Sequence, residues 1–427
     1  MTYSNVSLKH SLRSCPTKML KFLGLVSVTL VLGDHVWAKR EFAMPSEANI
    51  AKAKAILDKT PIIDGHNDFI MGTRSLIQND FTNFDFNSDL TQVEPWASYV
   101  YNHVDLPRIR DGRLGGQFWS SYVSCRSAHK DAVQLFMEQN DAIKRLVALN
   151  SDHMEFVTTA AGVEAAMANG KVASMIGVES GHAINSNLGI LRMLYEVGTR
   201  YMTLTHTCNT PWADAAQAES GSQPVRSDGL SPFGVEVILE MNRLGMFVDV
   251  SHVSSAVMSD ALDVSRAPII FSHSSARAVN NVVRNVPDSI LERMPDNGGV
   301  VMVNFYSCFI KDDCDATLDD VVDHVNHVRN VAGVDHVGIG SDFCGIDEVP
   351  LGLEDVSKYP ILFAALLESD VEWTDEDLGK LANGNLLRAM KEMETVRDSL
   401  SGEAPHQGWI SSEDFEPDET SCMSEMN

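Results

Sequence analysis

Basic residues are scarce in this chain. Lys and Arg number 33 against 59 Asp and Glu, a formal net charge of −26. Nucleic-acid binding needs basic surface to displace counterions, so this balance argues against it. Docking on an anionic membrane face is disfavoured on the same ground. No CxxC spacing occurs among the seven cysteines, which argues against a zinc ribbon or a thioredoxin-type motif. No internal repeat is visible, and no Pro/Gly/Ser-rich linker interrupts the chain between about Glu47 and Gly402. No GxGxxG follows the first apolar run, so a dinucleotide-binding open sheet has no support. Beyond one short N-terminal run, no stretch is apolar and long enough to span a bilayer. Residues Ser411 to Asn427 are acidic and polar, so no hydrophobic lipid-anchor signal is expected there.

What is present begins with that N-terminal run. Met1 to Lys21 carry Lys9, Arg13, Lys18 and Lys21 and no acidic residue, and the apolar segment Phe22 to Leu32 follows. Val36-Trp37-Ala38 is an acceptable cleavage triplet, so residues 1–38 are expected to be a signal peptide, with an uncleaved anchor as the competing reading. Export, to a periplasm or to the outside, puts the chain where disulfides persist. Cys15 would leave with the signal, and Cys125, Cys208, Cys308, Cys314, Cys344 and Cys422 would remain. Cys308 and Cys314 are spaced to close a short loop. No membrane attachment beyond the signal segment is expected.

Residues 47–400 read as one catalytic domain and 401–427 as an acidic polar tail. Short apolar runs alternate with amphipathic segments. The expected strands are Pro61–Ile63, Val172–Val178, Tyr201–Thr205, Met246–Ser251, Pro268–Ser272, Gly299–Asn304 and His336–Ser341. Helices are expected over Gly189–Val197, Gly234–Leu244, Ser255–Val264, Leu318–Val331 and Asp375–Glu394. Strand and helix in alternation imply βαβ units and a parallel sheet. Strands apolar on both faces imply burial from both sides. About eight such units fit an α/β fold, a (β/α)8 barrel of the TIM type, better than an open doubly wound sheet.

Nearly every expected strand ends in a His, Asp or Glu. His66 and Asp68 follow the first, Glu179 the second, His206 the third, His252 the fourth, His273 the fifth and Asp342 the last. In a barrel, the C-terminal strand ends meet at one face, where active sites are built. His66 and Asp68, two apart on an extended strand, point to the same side. Imidazole and carboxylate together suit zinc, and a central Glu can bridge two ions. Two ions supply both a nucleophile and a Lewis acid, which predicts hydrolysis. A single strand-end His is more often a cap or core residue; the weight lies in the joint pattern. Nothing converges on His182, His324, His327 or His336. Asp64 and Asp249 are expected to support neighbouring ligands. The acidic runs 312–323 and 368–377 read as solvated helix faces or caps. Trp212 and Tyr306 read first as packing residues.

The string Asp64-Gly65-His66-Asn67-Asp68 resembles the opening of the renal (membrane) dipeptidase family, peptidase family M19. The resemblance continues through Gly177 to His182, Thr203 to Asp214, Val250 to Ser254, Phe271 to Ala276, Arg284 to Asp288, Val301 to Tyr306, Gly338 to Phe343 and Asn385 to Arg388. It implies a metal-dependent, amidohydrolase-like barrel with two zinc ions per chain. His66 and Asp68 would hold one, His252 and His273 the other, and Glu179 would bridge them. By the same resemblance His206 polarises the scissile carbonyl and Asp342 shuttles the proton. Arg284 would hold the substrate's terminal carboxylate, and Tyr306 would line that pocket. The implied substrate is a dipeptide, in some members with a D-residue at the C-terminal position. The family also implies a Cys125–Cys208 disulfide, and its members are often homodimers. Two departures stand out. Cys344 replaces the usual Asp beside the catalytic aspartate, and Asn280 stands where a further bridging cysteine belongs, so Cys308–Cys314 is a candidate substitute.

Two rival readings keep the same residues. One is a metal amidohydrolase of this barrel class acting on a cyclic or acyl amide or lactam. The other is an exported metal-binding protein without turnover.

Overall fold

The computed structural model describes residues 42–416, 419 and 420. The expected signal segment lies outside them. Nine strands follow one another: β1 Ile62–Asn67, β2 Leu114–Tyr122, β3 Met154–Phe156, β4 Val172–Glu179, β5 Thr199–Thr203, β6 Phe247–Asp249, β7 Ile270–Phe271, β8 Val300–Val303 and β9 Val337–Ile339. Every pairing between them is parallel. The order is β2-β1-β9-β8-β7-β6-β5-β4-β3, and a β2–β4 pairing closes the ring. Eight strands therefore form the barrel, and β3 stands outside the ring. It pairs with the start of β4 (Met154 with Val172), while β5 pairs with the later half of the same edge (Ile176 with Thr199).

The strand that the apolar pattern did not reveal is β2. It carries Gly115, Gly116, Gln117, Ser120 and Ser121 and so has little hydropathy, yet all but its last residue are buried. It runs beside β4 from Gly116 opposite Ala173 to Tyr122 opposite Glu179. Its polar side chains find partners on both faces of the strand: Ser121 Oγ donates outward to Phe136 O at 3.3 Å, and Ser120 points inward to the site. Ser120 Oγ lies 3.4 Å from Glu179.

The helices sit outside the ring, and local chemistry sets their limits. Ser255–Val264 starts where Ser254 Oγ accepts from Val257 N. Leu318–Ala332 starts where the Asp320 carboxylate accepts from Thr317 N and Oγ1, both at 2.8 Å. The region expected as one helix over Asp375–Glu394 is instead three pieces: Asp375–Gly379, a π-helical turn Lys380–Gly384, and Asn385–Ser399. Asn383 and Asn385 explain the break. Their amides donate to Pro61 O and to Val334 O and Val337 O, carbonyls beside the barrel's strands. The described residues beyond Leu400 stay on the barrel. Glu403 pairs with Arg266, His406 with Glu236, and Glu419 with Arg226.

Both expected disulfides are formed, Cys125–Cys208 and Cys308–Cys314, and Cys344 is a buried free thiol. Among the described residues no helix is long and apolar enough to cross a membrane.

Candidate metal centre and active site

Parallel strands deliver their last residues to one rim. His66 is the next-to-last residue of β1, Glu179 closes β4, and His206, His252, His273 and Asp342 follow β5, β6, β7 and β9. Asp68 occupies the N-cap position of the helix Phe69–Ile77, but its carboxylate makes no cap bond. Asn67 Oδ1 accepts from Phe69 N instead, at 3.0 Å. The Asp68 carboxylate is thereby left for the site.

These groups converge on Glu179. Its Oε1 lies 3.0 Å from His252 Nε2, 3.5 Å from His273 Nε2, and 3.6 Å from both His66 Nε2 and His206 Nε2. Asp68 Oδ2 lies 3.2 Å from His66 Nε2. The Nε2 atoms of His252 and His273 face each other at 2.9 Å. Three overlapping groups each place their ligand atoms within 4.8 Å of one another: His66, Asp68 and Glu179; Glu179, His206 and His252; and His66, His273 and Asp342. All expected ligands are thus brought together, with Asp342 and His206 at the edge.

The surrounding structure fixes which nitrogen faces inward. Ser272 Oγ donates to Asp249 Oδ2 at 2.6 Å and lies 2.8 Å from His273 Nδ1. With its hydrogen committed to Asp249, Ser272 can only accept from His273 Nδ1–H, which leaves the Nε2 lone pair free. Tyr201 OH lies 2.8 Å from His66 Nδ1 and holds that ring in place. Gly177 makes room for Tyr201, since a Cβ there would lie 2.0 Å from the Tyr201 ring. Gly345 is needed as well, because a Cβ would lie 2.2 Å from Asp68 Oδ2. His252 and Asp342 both take left-handed backbone, each at φ 66°, a conformation that costs energy in a residue with a side chain and gathers at functional sites.

Electrostatics show a cluster built for cations. Burial holds His206 and His252 well below the usual imidazole range, and the positive Arg284 adds to it. Burial does the same to His273, with His66 and Arg284 adding. Neutral imidazoles keep their lone pairs for a metal. Burial pushes Glu179 up to about 7, with the like charge of Asp68 adding and His66 opposing. Burial also raises Asp342 well above the carboxylate range. For His66 burial acts downward, but Tyr201, Asp68 and Glu179 outweigh it and hold the ring well above its usual value. Among the buried atoms without a partner are His66 Nε2 and Asp68 Oδ1. Buried acceptors left unpaired are costly, so the donor set fits divalent ions of the zinc type.

The cleft above the cluster has a volume of about 620 Å³ and is lined by Tyr99, Tyr101, Tyr122, Tyr306 and Phe309 beside Asp68, Glu179, His206, His252 and Asp342. Tyr306 therefore lines the cleft rather than only packing. Arg284 does not line it. It is buried, with Nη1 on Ser274 Oγ at 3.2 Å, Nη2 on His273 O at 3.3 Å and its guanidinium 5.2 Å from the Phe309 ring centroid. Its Nε–H has no acceptor. Tyr201, Ser272, Tyr99 and Tyr101 escaped the sequence reading. The signal for Tyr201 was its place two residues before Thr203 on the same strand face; Tyr99 and Tyr101 lie in a loop with no periodicity.

A profile of the membrane dipeptidase family (Peptidase family M19) matches residues 50–404. The chain belongs to the membrane dipeptidase family. Within it, the chain is 40% identical to mouse (Mus musculus) Dipeptidase 3 over 354 residues, 83% of this chain and 69% of that protein. Two solved structures are similar at 25% identity. Dipeptidase AC, a metallopeptidase of family M19, superposes with a TM-score of 0.68 over 78% of this chain and 98% of its own. A metallopeptidase from Rhodobacter sphaeroides, liganded with a phosphinate mimic of the dipeptide L-Ala-D-Ala, gives 0.67 over 78% and 99%. Family membership agrees with the closed eight-stranded barrel and with a metal-dependent dipeptidase site at its rim.

Proposed function

We propose that this family member is an exported zinc dipeptidase that cleaves dipeptides, including those with a D-residue at the C-terminal position. The observation that carries the reading is the convergence of four imidazole Nε2 atoms on one buried carboxylate, Glu179, at 3.0–3.6 Å. His66 and Asp68 would hold one zinc ion, His252 and His273 a second, and Glu179 both. Bound there, zinc supplies Lewis acidity and makes water acidic enough to act as a nucleophile near neutral pH.

The chain's own groups do the rest. His206 lies 3.2 Å by Nδ1 from Thr207 Oγ1. If the hydroxyl donates, Nε2–H is free to hydrogen-bond the oxygen on which charge develops. Asp342, raised by burial, can hold a proton at the rim. It takes one from the attacking water and returns it to the leaving amine. Arg284 stays cationic although burial lowers it to about 10. It lies off the cleft, against Phe309, so its unpaired Nε–H would meet the substrate's carboxylate only where Phe309 and Tyr306 give way. A terminal carboxylate held there would restrict cleavage to dipeptides, as the family resemblance implies.

The test is the initial rate of L-Ala-D-Ala hydrolysis by the zinc-loaded chain from Lys39 onward. Turnover should vanish with a chelator and return with zinc. An unchanged rate in chelator, or no turnover with zinc bound, would overturn the reading.

A further inference from the structure

The outer half of the cleft has its own chemistry, separate from the metal end. Two aromatic pairs line it. Tyr99 and Tyr101 pack at 5.3 Å between centroids, and Tyr306 and Phe309 pack edge to face at 4.8 Å. Asp347 lines it too, exposed and, among the described residues, without an ion-pair partner. No Lys or Arg lines the cleft among the described residues.

Asp347 sits on a tethered turn rather than a loose one. Ser307 N donates to Glu348 O at 3.0 Å, and Cys344 N donates to His103 Nδ1 at 3.1 Å. Its charge is felt across the cleft. Burial first, and then Asp347, raise the hydroxyls of both Tyr101 and Tyr306 above the usual phenol value. Bound cations would neutralise Asp68 and Glu179, so Asp347 would remain as the carboxylate of the outer cleft, with Asp342 beside the metal end.

We infer that the rim of Tyr99, Tyr101, Tyr306 and Asp347 selects dipeptides carrying a cationic side chain, of the lysine or arginine kind. The inference rests on the dipeptidase reading and names its substrate class. A main-chain amine sits beside the scissile bond, at the metal end, so only a side chain reaches the rim. There an ammonium or guanidinium meets one carboxylate and several aromatic faces, each attractive to a cation. An acidic side chain meets a like charge, and no Lys or Arg lines the cleft to offset it. The chain's net charge of −26 steers cationic substrates in the same sense.

The test compares kcat/KM for Lys-D-Ala, norleucyl-D-Ala and Glu-D-Ala, and for Ala-D-Lys against Ala-D-norleucine, with the zinc-loaded enzyme. Norleucine matches lysine in length without its charge. The lysine substrate is expected to exceed its norleucine counterpart about tenfold at one position or the other, by an ion pair and ring contacts together worth about a factor of ten. The glutamyl substrate should be the poorest. In Asp347→Asn the lysine-to-norleucine ratio should fall several-fold, and Asp347→Lys should favour the glutamyl substrate. Equal rates on lysine and norleucine at both positions, or a ratio unchanged in both variants, would overturn the inference while the dipeptidase reading stands. Failure to cleave any of the five dipeptides would remove both.

Discussion

Asp64 and Asp68 flank His66 on one strand end, yet their surroundings are opposite. Asp64 is fully buried and fully bonded. Its oxygens accept from His66 N, Ser341 N, Ser341 Oγ and Tyr359 OH. Asp249 is its counterpart across the barrel, accepting from Ser251 N, Ser272 N, Ser272 Oγ and Thr203 Oγ1. Asp68 keeps one oxygen without any partner, and Glu179 has only a long contact with Ser120 besides its imidazoles. The same residue type serves two purposes at one rim. Where donors saturate it, a carboxylate ties strand ends together. Where donors are withheld, it waits for a cation.

Substitutions should separate the two sets. The largest effect falls on the open set. Glu179→Gln is expected to lower dipeptide turnover about a thousandfold or more, as loss of a metal's electrostatic stabilisation implies, and elemental analysis should show at least one zinc lost. Two tightly held ions in that variant would break the distinction. Asp342→Asn should keep its zinc and lose about 10²–10⁴ in kcat, the range for proton transfer; near-normal turnover would remove Asp342 from the reaction.

The saturated set should answer in stability. Asp249→Ala strands four donors inside the barrel and should cost about 3–5 kcal/mol in denaturant unfolding. A loss under about 1 kcal/mol would show that the bonds are idle.

Smaller for each group is a pH effect set by histidines outside the cluster. Burial depresses His103, His182 and His324 to about 4 each. Each binds its proton more readily when unfolded, so stability is full above about 6.5 and falls as pH drops toward 4. The loss is up to roughly 3 kcal/mol per group. His324 accepts from Ala276 N and bonds Ile310 O. Gln can make both bonds without titrating, so His324→Gln should flatten the acid limb of the stability profile. An unchanged slope would contradict the assignment.

The smallest signal comes from Cys344. It neighbours the site but belongs with the closed set, since burial pushes its thiol up to about 12. A thiol reagent at pH 8 should leave it unmodified in the folded chain and modify it on unfolding. Rapid labelling in the native state would place it in the open set.

The barrel was legible because β1, β4 and β9 are apolar runs ended by charge, and a parallel barrel buries such runs on both faces. The ligands were legible through the same coincidence, and the supporting roles of Asp64 and Asp249 through their distance from the expected ligands. What remained hidden has a common physical cause: buried polar residues whose partners are distant in sequence. In β2, Gln117, Ser120 and Ser121 mask a buried strand, and Tyr201 and Ser272 look like ordinary strand residues until their hydroxyls are seen on the histidines. The seat of Arg284 behind Phe309 depends on loop packing that no periodicity records. The break of the helix near Lys380 arises from asparagine amides reaching distant carbonyls.

The central claim is that the unsaturated cluster around Glu179 holds two zinc ions and that dipeptide cleavage depends on them. The most direct measurement is a titration of the metal-free chain from Lys39 onward with zinc, following bound metal and L-Ala-D-Ala turnover together. Turnover should rise from zero and level off at two ions per chain. Full activity without metal, or saturation of two sites with no turnover, would contradict it.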